Sequence, residues 1–386
     1  MTCPTCGGSA RFQGYRDRTP IGLMGEIHVR RAYYYCGRCG HGLCPWDEKV
    51  GFTPRRLTPG AERAVSLAGL LSDSFTEAAE KVLPELAGLH LCESTAQRTT
   101  EGAGRRAGDQ LAAGHTFGPR VPWRWEKDAH GRTCAYVSVD ATGVRQQGPG
   151  GGAAEGRMPY VAMVYNPAPE VEPPERRPRR AMMQARYLSG LYDLDVLGLQ
   201  LRRQACQVGM EAAQLWIGLT DGGNGLENFL RTNFPRDLVV ILDFWHAAEY
   251  LADLAKAVHP GDDEQAQTLM TGWCRTMKEE GGAAILRVLE EWEPPPRKPA
   301  VAKARIDVLA YFGNNVHRMD YPTYVANGWL IGSGAVESAC KTVVGQRLKL
   351  AGMRWGEDGT DAVCHLRALF KSERSQWRDF WQRSIN

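Results

Sequence analysis

Three acidic side chains, Asp140, Asp221 and Glu337, stand where apolar stretches hand over to something else. Thr133-Cys-Ala-Tyr-Val-Ser-Val139 runs into Asp140, and Leu215 to Thr220 runs into Asp221-Gly222-Gly223. Ile331-Gly-Ser-Gly-Ala-Val-Glu337 reads as a loop feeding a helix, with Ser333 placed as its N-cap. Carboxylates gathered in one place repel: at an effective dielectric near 20, two charges about 4 Å apart cost roughly 4 kcal/mol. Hard, oxygen-preferring Mg²⁺ or Mn²⁺ relieves that repulsion. Two such ions clamp the attacking and leaving oxygens of an in-line phosphoryl displacement. On this reading all three acids are metal ligands, and water or a DNA 3′-hydroxyl is the nucleophile. A single Asp after a strand is more often a turn residue or a helix cap; only the whole pattern argues for a site.

Asp243 and His246 also follow a strand, and their i, i+3 spacing puts them on one helical face. Asp243 is read as a helix cap, with a metal role as the alternative. His246 either holds the local structure or touches the scissile phosphate. Asp221 is preferred as the second ligand because the following glycines leave open backbone beside it. Between Lys341 and Trp355 the chain carries four cations, Lys341, Arg347, Lys349 and Arg354, and no acid. That bias suits binding to a nucleic-acid backbone. Lys341, one turn after Glu337, is placed to pair with it or to meet a phosphate. Arg176, Arg177, Arg179 and Arg180 read as an exposed loop, with phosphate contact as the sharper option.

Cysteine chemistry is concentrated at the other end. Five of eleven cysteines lie in the first 44 residues, and Cys3-Pro-Thr-Cys6 and Cys36-Gly-Arg-Cys39 form two CxxC pairs. Each pair suits a tight knuckle that aims two thiolates at one tetrahedral Zn²⁺, with glycine relieving strain. His41 and Cys44 are spare potential ligands. An odd cysteine count argues for reduced thiols rather than a disulfide framework. A unit of about 50 residues buries too little surface to stand alone, so a metal would supply the missing folding free energy.

These residues need elements to position them. Glu26 to Tyr35 alternates like a hairpin strand. From Arg55 to Gly114 three helices are expected: Thr58-Pro59 is a start signal, and Ser74 to Glu77 and Ser94 to Gln97 fit capping boxes. A helix bearing Gln97, Arg98, Thr99 and Thr100 then resembles the reading helix of a helix-turn-helix, with Arg98 toward DNA. Strands follow at Arg132–Val139, Tyr160–Tyr165, Tyr187–Leu191, Leu215–Thr220 and Leu238–Leu242, with a Gly-rich loop over Gln146–Gly156. Residues 247–330 read as mainly helical. The order β-β-β-α-β-α-β-α, with a late helical insertion, matches an α/β RNase H-like core.

The expected division is a zinc ribbon (1–50), a helical DNA-binding domain (51–120), the first part of the core (121–246), a helical insertion (247–330), and a catalytic helix with a basic tail (331–386). Composition agrees with a multidomain globular chain: 386 residues, 43% hydrophobic and 24% charged. A net charge of +3 does not by itself announce a nucleic-acid binder. No apolar run approaches the roughly 20 residues of a membrane span. The opening residues do not read as a secretory leader, so a cytoplasmic, nucleoid-associated location is expected.

Ile331-Gly-Ser-Gly-Ala-Val-Glu-Ser-Ala-Cys-Lys341, continuing through Arg347-Leu-Lys-Leu-Ala-Gly-Met-Arg-Trp355, closely resembles the C-terminal signature of bacterial insertion-sequence DDE transposases of the ISKra family. Val139-Asp140-Ala-Thr-Gly143, Thr220-Asp221-Gly222 and Asp243-Phe-Trp-His246 resemble its other blocks in order, the last being similar to the Asp/Cys-x-x-His signature of Mutator-like relatives. The resemblance spans about residues 55 to 370. It implies an RNase H-like core with a helical insertion, divalent metal, and cutting and joining of DNA ends. Asp140, Asp221 and Glu337 take the acidic-triad places, with Asp243 and His246 in the accessory motif. Double-stranded DNA, both transposon ends and target, is the implied partner, and a dimer or higher oligomer is expected because two ends are processed together. Two rivals are an RNase H-like nuclease that does not join strands and a non-catalytic, zinc-containing DNA-binding protein derived from a transposase.

Overall fold

Apolar, β-branched and aromatic runs between residues 133 and 242 form five strands of one mixed sheet: β1 (Thr133–Ala141), β2 (Tyr160–Asn166), β3 (Gln184–Gly190), β4 (Leu215–Thr220) and β5 (Val239–Leu242). In this computed structural model, residues 1–52, 56–167, 183–223, 225–295 and 298–383 are described. The strand order is β3-β2-β1-β4-β5, and a short strand, Glu126–Lys127, adds to the start of β1. β1 pairs antiparallel with β2, and β2 with β3, while β1, β4 and β5 run parallel. Every residue of β1 from Cys134 to Val139 is buried. A strand covered on both faces reads as a continuous apolar run instead of alternating.

The helices of this unit follow the strands. They are α1 (Leu194–Gln207) after β3, α2 (Leu226–Asn233) between β4 and β5, and α3 (Phe244–Val258) after β5. Then come α4 (Asp263–Glu280), α5 (Gly282–Glu291), α6 (Pro299–Asn315) and α7 (Tyr321–Ala326), which pack with α3 as a helical group. Last is α8 (Gly334–Ala339), which lies on β1 and β2. Together these elements form one of two compact units, made of Arg120–Gly143 and Arg157–Val344.

The other unit comprises Met1–Pro119, Val144–Gly156 and Gly345–Asn386. This division differs from the five consecutive segments drawn from the sequence, because the chain from Gly345 onward groups with the N-terminal residues. Its first part is a three-stranded sheet in which Val29–Cys36 pairs with Ala10–Arg18 and Gly42–Leu43. Helix Pro59–Leu71 starts as expected: Ala61 N donates to Thr58 Oγ1 at 3.3 Å. At Ser74 the hydroxyl accepts from Glu77 N at 2.9 Å, while the Glu77 carboxylate accepts from Asp73 N at 2.8 Å. The Ser94 capping box does not form. The long helix begins at Glu93 with Cys92 as its cap, and Gln97 bonds to Glu101 along the helix at 2.8 Å.

Thr99 and Thr100 on that helix are fully buried, so they face the core and are not available to read bases; Arg98 is exposed. The Gly-rich stretch is not merely a loop. Val144–Gln147 and Ala153–Arg157 pair as strands, and Gln146 bridges to Trp355. Arg347, expected to contact DNA, is only 1% exposed. It donates to the Gly69 carbonyl at 2.8 Å and lies over the rings of Phe75 and Trp355 at 4.5 and 4.9 Å. Arg367 donates to the neighbouring Leu70 carbonyl at 2.5 Å. Two buried guanidiniums thus satisfy the C-terminal carbonyls of helix Pro59–Leu71. That is a structural task, and it leaves Arg347 out of reach of a phosphate. The arginines at 176–180 lie outside the described residues. Among the described residues, no helix is long and apolar enough to cross a membrane.

Candidate active site and a four-cysteine cluster

The parallel register brings three aspartates to one edge of the sheet. β1 and β4 pair at Ser138 and Leu219, so Asp140 and Asp221 each stand two residues beyond that pair. β4 and β5 pair at Thr220 and Leu242, so Asp221 and Asp243 each stand one residue beyond. This is the carboxyl edge of parallel strands, where α/β sheets place their ligands. Asp140 falls inside its strand, not after it, with only Ala141 following. Glu337 comes from the first turn of α8.

The acids feel one another. Burial raises the Asp140 carboxyl above the usual aspartate range, and the charges of Asp221 and Glu337 push it the same way. The Ala141 N–H, 2.7 Å from Asp140 Oδ1, and the Cys340 thiol, 3.4 Å from Oδ2, oppose that shift without cancelling it. The charged form of Asp140 is therefore disfavoured here relative to a free aspartate. Asp221 and Asp140 are half-buried and Glu337 is exposed. The three carboxylates do not come within 4.8 Å of one another; among the described residues, only the four N-terminal cysteines form so tight a group.

Asp243 differs from the other acids. It is 1% exposed, and its Oδ1 accepts from Trp245 N at 2.8 Å, capping α3. Its Oδ2 accepts from the Ser333 hydroxyl. The same hydroxyl lies 2.7 Å from Glu337 Oε1. Ser333 was expected as the N-cap of the Glu337 helix; it occupies that position, but its side chain makes no cap hydrogen bond and turns to the two acids instead.

Two glycines make this packing achievable. A Cβ at Gly332 would stand 2.9 Å from Trp245 Cδ1. Gly222 has φ +88° and lies under the Tyr311 ring, where a Cβ would meet Oη at 2.7 Å. Tyr311 donates to the Asp221 carbonyl at 2.7 Å and stacks on Tyr250 with centroids 4.0 Å apart. His246 sets its ring edge-on to both tyrosines and contacts Glu249 at 3.3 Å. These contacts hold the His246 ring in the packing between Tyr250 and Tyr311. Lys341 is exposed, and among the described residues no ion pair joins it to Glu337. Lys349 and Arg354 are exposed on the other unit.

Sequence reasoning missed three of these contacts. Cys340 had a signal: three residues after Glu337 on a helix, it shares a face. The dual role of Ser333 and the Tyr311 contact with Asp221 had none, because both depend on chain separated by about 90 residues.

In the N-terminal unit, the sulfur-to-sulfur distances Cys3–Cys39 and Cys6–Cys36 are both 3.6 Å. A tetrahedron of sulfurs about 2.3 Å from its centre has edges of about 3.8 Å. The four thiols are thus compatible with a structural zinc ion. Burial opposes ionisation of Cys3, but the Cys6 and Thr5 backbone pulls its thiol down to about 6. The Gly8 backbone favours ionisation of Cys6, yet neighbouring Cys39 and burial leave it pushed up to about 12. A bound metal would replace the protons that these thiols hold. His41 and Cys44 are not members of the group. Comparison with protein-family models and with curated proteins finds no match for this chain.

Proposed function

We propose that the chain is a DNA transposase of the DDE type, with an RNase H-like core and a zinc ribbon. The observation that carries the reading is the placement of Asp140 and Asp221 at one sheet edge with Glu337 near them, near enough that both charges add to the burial that raises Asp140. The strand order β3-β2-β1-β4-β5, with its antiparallel and parallel halves, supports the RNase H-like assignment. The signature around Glu337 and its resemblance to the ISKra family supply the choice of chemistry.

Asp140, Asp221 and Glu337 would hold Mg²⁺ or Mn²⁺, for which an all-oxygen donor set is suited. Bound there, two ions would stabilise the charge on attacking and leaving phosphoryl oxygens. The chain's own residues prepare that site. Asp140 is held by the Ala141 N–H, Asp221 by the Gly223 N–H at 2.9 Å, and Glu337 by Ser333. Lys341, Lys349 and Arg354 would meet the DNA backbone, as would Arg98. Work on two DNA ends calls for a dimer or larger assembly.

The test is to incubate the full-length protein with labelled DNA from its own flanking genomic sequence and Mg²⁺. Nicked ends together with joined product are the expected result. Nicks without joining would make it a hydrolytic nuclease, and binding without either would make it a non-catalytic DNA-binding protein.

A further inference from the structure

We infer that Ser333 is a positioning residue that ties Glu337 to the buried Asp243, and that Asp243 anchors this tether rather than binding metal. The inference rests on the metal reading above.

Both oxygens of Asp243 are already engaged, one by the Trp245 N–H and the other by the Ser333 hydroxyl. Its backbone is fixed too, since Asp243 N donates to the Thr220 carbonyl at 2.8 Å, holding it at the ends of β4 and β5. At 1% exposure, with both oxygens engaged, it has no open side to offer a cation.

Ser333 is similarly constrained. It is 3% exposed, and its carbonyl accepts from Val336 N at 2.8 Å and Glu337 N at 3.1 Å. The loop before it is pinned where Phe244 N donates to the Ile331 carbonyl at 2.9 Å. Gly332, pressed against Trp245, allows no side chain there. The hydroxyl therefore sits at a fixed point between two carboxylates.

Glu337 is the member that needs help. It is exposed, in the first turn of its helix. A free glutamate of this kind samples many rotamers, and ordering it costs entropy. The Ser333 contact engages Oε1 and leaves Oε2 for a cation. Outer contacts that orient metal ligands commonly change metal affinity by about 10–100-fold when removed.

A hydroxyl has one proton and can donate it to only one carboxylate at a time. This separates the two candidate roles of Asp243. In Asp243→Asn, the side-chain oxygen can still cap α3. Its NH₂ can donate to Ser333 Oγ, which frees the hydroxyl proton for Glu337. In Asp243→Ala the hydroxyl also keeps its proton for Glu337 but loses the anchor that aims it. The tether therefore survives Asp243→Asn and is loosened by Asp243→Ala, whereas a metal ligand is lost in both.

The experiment is a Mn²⁺ titration of the full chain without DNA, read from the electron paramagnetic resonance signal of free Mn²⁺. Asp140→Asn and Asp221→Asn are the references for a lost ligand. Ser333→Ala and Asp243→Ala should weaken binding by about 10–100-fold. Ser333→Thr and Asp243→Asn should bind like the unaltered chain, and the Ser333→Ala, Asp243→Ala double variant should be no worse than either single. Should Asp243→Ala fail to fold, Ser333→Ala and Ser333→Cys, which leave the helix cap alone, carry the same comparison. Asp243→Asn as damaging as Asp221→Asn, with Ser333→Ala harmless, would overturn the tether. Equal Mn²⁺ binding by the unaltered chain, Asp140→Asn and Asp221→Asn would instead overturn the metal reading on which it rests.

Discussion

The cysteine cluster and the acidic site both bring four side chains to one place, but over opposite ranges. Four sulfurs are delivered by two short knuckles on one small sheet, and they pack within 4.8 Å even without an ion between them. The acids come from β1, β4, the start of α3 and α8, and they do not pack so tightly; Asp140 is raised by burial, with the charges of Asp221 and Glu337 adding to it. Thiols can share protons and lie against each other, whereas carboxylates that are ionised cannot. The cysteine cluster is therefore read as holding its region together. The acidic site is read as a place where stability is given up to keep charge ready for a cation.

That contrast can be broken by experiment, starting with the largest effects. Asp140→Asn, Asp221→Asn and Glu337→Gln should each take DNA cleavage below detection while leaving gel-shift binding to end DNA in place. Retained cleavage in Asp221→Asn would remove Asp221 from the site.

Cys36→Ser should abolish the roughly 10–16 kcal/mol binding typical of a structural zinc site. Metal analysis should fall from one zinc per chain to none, and hydrogen exchange should quicken across residues 1–50. DNA end binding should weaken at the same time. A zinc-free chain with unchanged exchange would refute the ribbon.

A smaller effect has the opposite sign and sharpens the comparison. Asp140 is an acid whose folded-state value is raised, so its contribution to stability is fully present below the unfolded value and is lost as pH rises through the folded one. Asp140→Asn should therefore raise the melting temperature of the metal-free protein at neutral pH. The gain should vanish as pH falls into the ordinary aspartate range. Saturating Mn²⁺ should stabilise the unaltered chain more than the variant, because only the former keeps all three proposed ligands. A variant that melts lower at neutral pH would mean that Asp140 is not under repulsion.

The smallest effects concern the basic residues. Lys349→Ala or Arg354→Ala should each lower the salt slope of DNA binding by about 1 with little change in melting temperature. Arg347→Ala should instead destabilise the fold by about 2–4 kcal/mol, since it removes a buried, hydrogen-bonded guanidinium packed on two rings.

Much of this architecture was legible because its signals are local. The strand from Leu215 to Thr220 matches its expected limits, and Thr58 and Ser74 cap their helices as the residue types require. The CxxC pairs could be read because four ligands were specified by two short spacings. What failed depended on long-range packing. Arg347 sits in a run of four cations that is basic as text, yet its partners Gly69 and Phe75 are over 270 residues away. Thr99 and Thr100 look like reading residues until the helix is rotated by the apolar face it must bury. Ser94 lost its cap role because the helix starts before it. At the acidic edge, the positions of Asp140 and Asp221 followed from strand order, and the helix-cap role read for Asp243 is seen in its bond from Trp245 N. The contact of Asp243 with Ser333 was not legible, because it depends on packing across 90 residues.

The most direct measurement is an anomalous difference map from crystals of the full chain soaked in Mn²⁺. The expected result is manganese density bounded by the carboxylates of Asp140, Asp221 and Glu337, with Asp243 outside the coordination sphere and Ser333 still on Glu337. Density on Asp243 with none on Asp221, or no density at this sheet edge at saturating Mn²⁺, would contradict it.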